Sequence, residues 1–285
     1  MAKRIIKQAV AKQMSVFDTP EGKQAMEDKF VADYRNDINN LSYWYPKVKD
    51  CGIDQPRTVI IQNPVKIMQD IFEPESHLEE IMEFVNDKVL PQIPNDMFFL
   101  FVKNGTFSNK YNFGENCKCR REVLELTKAI SNVNYFSECC GAGGISETVI
   151  REFIGDWHYI DTHIPCIYNG MPLRPEFRVF YDFEKRVSLY AVNYWDRDYC
   201  LDAISANATD KIVYVSVYQK LLSDYEKRSG EVLAMVDKAM VNVKALHGQW
   251  SVDIMYDEEH DKYWLIDMAV AQQSAYWNPE ALVGE

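Results

Sequence analysis

The chain has 285 residues, with 43 acidic against 31 basic side chains, a formal net charge of −12, and 47% hydrophobic and 26% charged residues. This is too apolar for a disordered chain and too interrupted by charge for a membrane protein. The apolar run MFFLFV at 97–102 falls far short of the roughly 18 residues that suggest a membrane span. An acidic surface also lacks the lysine and arginine density on which non-specific nucleic-acid binding depends.

Residues 1–40 are polar and helix-prone, and Asp18, Thr19 and Pro20 mark a cap and restart. The first fourteen residues read as a solvated helix end or a basic amphipathic arm. They have a basic start but no apolar signal-peptide centre, which places the protein in the cytoplasm with its thiols reduced. LSYWYPKV at 41–48 closes the helical stretch, and RTVIIQ at 57–62 reads as a short buried strand. In SHLEEIMEFVNDKVL at 76–90, Leu78, Ile81, Met82, Val85 and Val89 recur at helical spacing. Ser76 and Glu79 form a capping box there, and Pro91 and Pro94 end the helix.

MFFLFVK at 97–103 is the clearest strand, and a polar loop and a helix over 119–130 follow it. ETVIREFI (147–154), EFRVFYDF (176–183) and RVSLYAVNYW (186–195) are strands, the last two joined as a hairpin at Glu184–Lys185. Residues 209–228 and 229–248 read as two helices, the second ending at Gly248. WSVDIMY (250–256) and KYWLIDM (262–268) form a last strand pair across the charged loop DEEHD. This mixture, without internal repeats, predicts an α+β fold.

Chemistry concentrates in three places. In the last strand pair, Ser251, Asp253 and Met255 share one face, while Tyr263, Leu265 and Asp267 share a face of their partner strand. A loop symmetric about His260 sets Asp253 opposite Asp267. Two like charges inside apolar strands are costly, and a divalent cation relieves the conflict; the alternative is one aspartate facing solvent. Next, MFFLFVK delivers Lys103 into the loop NGTFSNK, which ends on Lys110 and suits an oxyanion, although P-loop spacing is absent. Third, Arg151, Glu152 and Arg178 interrupt apolar strands and need partners, either internal salt bridges or a phosphate. The glycine cluster CCGAGGISE at 139–147 precedes a strand, an order that argues against a dinucleotide-binding fingerprint. Cys117, Cys119, Cys139 and Cys140 lack the usual CxxC spacing and read as buried or surface thiols rather than a zinc site. His158 and His163 read as surface or pocket residues rather than a zinc pair.

In this order these residues resemble the ATP-grasp superfamily, and within it the eukaryotic cell-division-cycle-123 proteins and their bacterial and phage relatives. VKNGTFSNK matches the lysine strand and loop, which implies Lys103 and Lys110 at phosphate-binding positions. VIREFI resembles the adenine hinge and implicates Arg151, Glu152, Phe153 and Ile154. The EFR strand matches Glu176, Phe177 and Arg178, and YWDRD resembles the following Arg-Asp strand, giving Arg178 and Arg197 as catalytic residues. SVDIMY and LIDMA match the closing acidic strands, giving Asp253 and Asp267 as magnesium ligands.

The resemblance covers about residues 41–270 and implies two α+β lobes sandwiching ATP and Mg2+. It divides the chain into a helical N-terminal extension (1–40), a pre-grasp region (41–95), a lysine lobe (96–146) and a C-terminal lobe with hinge and metal site (147–285). The implied activity is a carboxylate–amine ligase working through an acylphosphate, on a small-molecule or protein substrate. An ATP-dependent protein-assembly factor with a protein partner is the alternative. One departure is Ala269, where the family carries an asparagine; Gln272 and Gln273 are the residues near enough in sequence to substitute. Trp157–Tyr168 and Tyr194–Asn207 are candidate walls of the acceptor pocket.

Overall fold

The computed structural model describes residues 19–69, 78–155, 164–204 and 207–282. Ser76, His158, His163 and the basic stretch at 1–14 lie outside them. In chain order the elements are α1 (Pro20–Arg35), α2 (Leu41–Val48), β1 (Thr58–Gln62), α3 (Val65–Gln69), α4 (Leu78–Phe84), β2 (Phe99–Asn104), α5 (Phe113–Asn116), β3 (Lys118–Arg120), α6 (Val123–Cys139) and β4 (Glu147–Glu152). They continue with β5 (Cys166–Ile167), β6 (Met171–Pro172), β7 (Glu176–Asp182), β8 (Val187–Asn193), α7 (Arg197–Ala203), α8 (Ala208–Met240), β9 (Gln249–Asp257) and β10 (Lys262–Val270). The fold is α+β, built on two four-stranded sheets of order β1-β4-β2-β3 and β10-β9-β7-β8.

Local chemistry accounts for the helix starts. Thr19 Oγ1 accepts from Gly22 N at 3.0 Å, and Pro20 takes the first turn, where a missing N–H is harmless. LSYWYPKV is itself a helix, α2, which buries Leu41, Trp44 and Val48 and tolerates Pro46 near its end. The helix begun at α4 continues as a wide turn over Val85–Val89 and a tight one over Leu90–Gln92. It buries Ile81, Phe84, Val85 and Val89 and leaves Leu78 and Met82 exposed. The two helices read at 209–248 are one, α8, capped by Asn207. Gly230 is tolerated inside it, at a cost of about 1 kcal/mol against alanine. Gly248, at φ +74°, stands at the entry to β9 rather than at a helix end.

The first sheet packs one face on α4 and α6 through Ile61, Leu100, Val102, Leu126, Ile130 and Ile150. The second packs Phe177, Val179, Tyr181, Trp250, Val252, Ile254 and Leu265 on α8 residues Val232, Val236 and Met240. Full burial of side chains of this size contributes about 1.5–3 kcal/mol each. β4, the strand of the expected hinge, sits inside the first sheet between β1 and β2. The segment that leaves it connects the two sheets. Among the described residues no helix is long and apolar enough to cross a membrane.

Candidate functional site

The first sheet aims cations at the second. Phe101 of β2 lies opposite Arg151 of β4, and Arg151 lies opposite Thr58 of β1. Opposed residues share a face, so Phe101, Lys103 and Arg151 point the same way, away from the α4–α6 core. Lys103 is 3% exposed, and its ammonium donates to Asp267 Oδ2 of the second sheet at 2.8 Å. Arg151 is also buried; its Nε donates to Thr58 Oγ1 at 3.1 Å and its Nη1 to the Ile266 carbonyl. Among the described residues its buried Nη2 has no hydrogen-bond partner. Burial pulls the Arg151 guanidinium down to about 10, against the pull of Asp267, so it keeps its charge at neutral pH.

The second sheet supplies the acids in one transverse row. Asp267 of β10 lies opposite Asp253 of β9, and Asp253 lies opposite Arg178 of β7. The pairing of the two aspartates follows the symmetric loop, but the face does not follow strict alternation. From Lys262 to Leu265 the strands pair in a register that would set Ile266 against Asp253 and turn Asp267 to the core side with Tyr263 and Leu265. A bulge at Ile266 inserts one residue, which moves Asp267 to the face of Asp253. The same bulge presents the Ile266 carbonyl to Arg151.

The aspartates are also neutralised differently. Arg178 forks onto Asp253, Nε to Oδ1 at 2.8 Å and Nη2 to Oδ2 at 2.7 Å, while Asp267 pairs with Lys103 across the cleft. The like-charge conflict between them is thus met by two cationic side chains.

All eight residues assigned to nucleotide binding (Lys103, Lys110, Arg151, Glu152, Phe153, Ile154, Asp253 and Asp267) line one cleft of about 880 Å³, open mouth included. One part of the wall is apolar, formed by Phe101, Phe113, Phe153, Ile154, Met171, Pro172 and Met255. Phe113 meets Phe101 and Phe153 at 5.9 and 6.0 Å between ring centroids. The charged part brings together Lys103, Lys110, Arg151, Asp253 and Asp267. Glu152 lines the cleft, but its carboxylate is forked by Arg57 at 2.7 and 2.9 Å, so the hinge carboxylate is held from outside.

Glu176 was named in the sequence only as part of the EFR strand, and Tyr194 only as the first residue of a candidate acceptor-pocket wall; both line the cleft. Glu176 faces Met255 across the β7–β9 ladder, two residues and about 6.6 Å along the strand from Arg178. Burial pushes its carboxyl up to about 7; Lys110 counteracts this and Asp253 adds to it. The signal for Glu176 was an acidic side chain alternating with Arg178 on the cleft face. Tyr194, which follows the end of β8, was marked only by its place in the candidate wall Tyr194–Asn207. Arg178 reaches the site through Asp253. Arg197 does not: it is exposed as the first residue of α7, after the Asp196 cap, because the chain turns into a helix beyond β8. Gln272 and Gln273 are absent from the cleft wall, and Gln273 accepts from Asn39 Nδ2 at 2.7 Å. Ala269 lies opposite Ser251, whose hydroxyl meets that of Ser274 at 2.7 Å.

Cys117 and Cys119 are buried and Cys139 and Cys140 exposed, all as free thiols. Among the described residues the group close enough to supply three metal ligands is Asp257, Glu259 and His260 at the β9–β10 turn. Arg174 and His260 already hold the Asp257 carboxylate there. In the main cleft, Asp253 and Asp267 fit magnesium of the kind carried by phosphates, which needs one or two carboxylates, rather than a self-sufficient metal cage.

No protein-family model matches the sequence, and no curated protein matches it. Among solved structures the chain is similar to Cdc123 from Schizosaccharomyces pombe, with 16% identity over 83% of this chain and 85% of that one, at a TM-score of 0.40. It is similar to the biotin carboxylase domain of Hydrogenobacter thermophilus 2-oxoglutarate carboxylase in complex with MgADP, ADP and bicarbonate, with 10% identity, 94% and 51% coverage and a TM-score of 0.39. It is also similar to a RimK domain ATP-grasp protein from Sphaerobacter thermophilus, with 10% identity, 81% and 57% coverage and a TM-score of 0.34. The chain thus spans a little over half the length of the last two. At these scores it is the cleft's own geometry that bears on function.

Proposed function

We propose that the cleft binds ATP with magnesium and that the protein is an ATP-dependent carboxylate–amine ligase. The observation that carries this reading is the convergence, at an apolar-walled cleft, of Lys103, Lys110 and Arg151 from one side with Asp253 and Asp267 from the other. The unpartnered, buried Arg151 Nη2 is a donor in want of an acceptor, and a phosphate oxygen supplies one.

In this reading Phe101, Phe153, Ile154, Met171 and Met255 enclose the base, and the lysines and Arg151 take the phosphates. Asp253 and Asp267 hold the magnesium, which when bound neutralises phosphate charge. A substrate carboxylate oxygen attacks the γ-phosphorus, the bond to the bridging oxygen breaks, and ADP leaves. An amine then attacks the acyl carbon, phosphate departs with the C–O electron pair, and the amine loses its proton. Lys103, Lys110 and Arg151 contribute by meeting negative charge that grows on the transferred group.

A second reading, nucleotide binding in the service of protein assembly without ligase turnover, is favoured by Arg178. It occupies both oxygens of Asp253, and Ala269 adds no ligand beside them.

Calorimetric titration with ATP, with and without magnesium, tests the shared claim: binding in the micromolar range that weakens at least tenfold without magnesium is expected. Absence of heat and of thermal stabilisation overturns it. Release of ADP that depends on a carboxylate and an amine separates the ligase from the assembly factor.

A further inference from the structure

Tyr194 lines the cleft and touches two cations, Lys110 and Arg178, that come from opposite sides of it. Its hydroxyl accepts a hydrogen bond from the Lys110 ammonium, whose nitrogen lies 4.4 Å from the centre of the Tyr194 ring. The Arg178 guanidinium carbon is 5.1 Å from the same centre. Lys110 follows the first sheet's β2, whereas Arg178 belongs to β7 of the second. One ring therefore contacts a cation from each half. The ring is itself fixed by its backbone: Tyr194 N donates to the Glu176 carbonyl, and the Tyr194 carbonyl accepts from Tyr276 Oη, both at 3.1 Å.

A lysine has a long, freely rotating stem, and fixing it on a ligand costs entropy. A rigid phenol that already holds the ammonium in the cleft removes part of that cost, and its π face favours the nearby cations. We infer that Tyr194 is a positioning residue: it holds Lys110 at the polyphosphate end of the cleft, and it acts through Lys110 rather than on the nucleotide. This rests on the reading of the cleft as a nucleotide site, but its first test does not need a nucleotide.

Y194F removes only the hydroxyl. The acylation rate of Lys110 by an amine-directed reagent, followed by peptide mass spectrometry, should rise about threefold or more in Y194F, with Lys103 as internal reference. An unchanged rate at Lys110 overturns the proposal whether or not the protein binds ATP. With magnesium-ATP as probe, Y194F should weaken binding about three- to tenfold, while adenosine binding stays within twofold of wild type. In a K110A background the Y194F change should have no further effect on ATP affinity. Equal losses for ATP and adenosine, or additive effects of Y194F and K110A, would mean that Tyr194 is merely structural.

Discussion

The two sheets charge the same cleft by different means. The first contributes its cations from uninterrupted ladders, with Lys103 opposite Val149 and Arg151 opposite Phe101. The second brings Asp267 to the cleft only through the extra residue at Ile266. Side-chain length accounts for the contrast. A lysine or arginine reaches several ångströms from its strand, so a regular position on the right face suffices. An aspartate reaches one methylene and must itself stand at a cleft-facing position, and the register of Lys262–Leu265 gives that position to Ile266 until the bulge passes it to Asp267.

Deleting Ile266 attacks this difference most directly. Asp267 then follows Leu265 directly and takes the place opposite Asp253 in an unbroken ladder, so it keeps the cleft face and Lys103, while the buried Arg151 loses the acceptor that the bulge presents. A loss of about 3 kcal/mol is expected, read from chemical denaturation. A deletion variant of wild-type stability would show that the bulge carbonyl does not hold Arg151.

The Lys103–Asp267 contact between the sheets is unequal in burial, with side-chain exposures of 2% and 36%. D267N leaves a buried ammonium without its counter-charge and should lower stability by about 2–3 kcal/mol. K103M leaves a carboxylate that water can reach and should cost less, about 1 kcal/mol. Thermal unfolding of the two variants side by side gives the order; the reverse order would mean that Lys103 finds another acceptor.

This asymmetry also explains what could be read before the fold was seen. Lys103 and Arg151 lie in strands with clear hydrophobic boundaries, so their strands were legible, whereas Phe153 and Ile154 lie beyond the end of β4 and were named only through the resemblance. The Asp253–Asp267 pair was legible as a pair because the loop is short and nearly symmetric, but a bulge carries no residue signature, so the face of Asp267 was not. The continuous α8 was hidden by Ser229–Gly230, where packing along the second sheet outweighs glycine's low helix propensity. Tyr194 was legible as a candidate pocket wall but not as a partner of Lys110 and Arg178, which arrive from segments far apart in the chain.

Glu176 gives a pH-dependent version of the comparison, since the second sheet adds a third carboxyl to the cleft. Its folded-state value of about 7 lies above the ordinary 4.5. The protonated form therefore favours the fold, and the associated stability is lost as pH rises from about 4.5 to 7. Removing this titration in E176Q should flatten the stability–pH profile over that window and raise stability at pH 8, by at most about 3 kcal/mol. Denaturation midpoints at pH 5 and pH 8 in both proteins are sufficient; parallel profiles would show that Glu176 stays ionised in the fold.

The smallest effect belongs to one of the two arginines that the sequence treats alike. Arg178 is largely buried and holds both oxygens of Asp253, so R178A strands a carboxylate that is only 9% exposed and should lower stability by about 3 kcal/mol. Arg197 stands in solvent at the start of α7, on a helix that its neighbour Asp196 caps without it. R197A should change stability by less than about 0.5 kcal/mol and ATP affinity by less than about twofold. A tenfold loss in R197A would mean that α7 moves onto the cleft when nucleotide binds. The second sheet would then contribute a cation by motion, where the first contributes its cations by register.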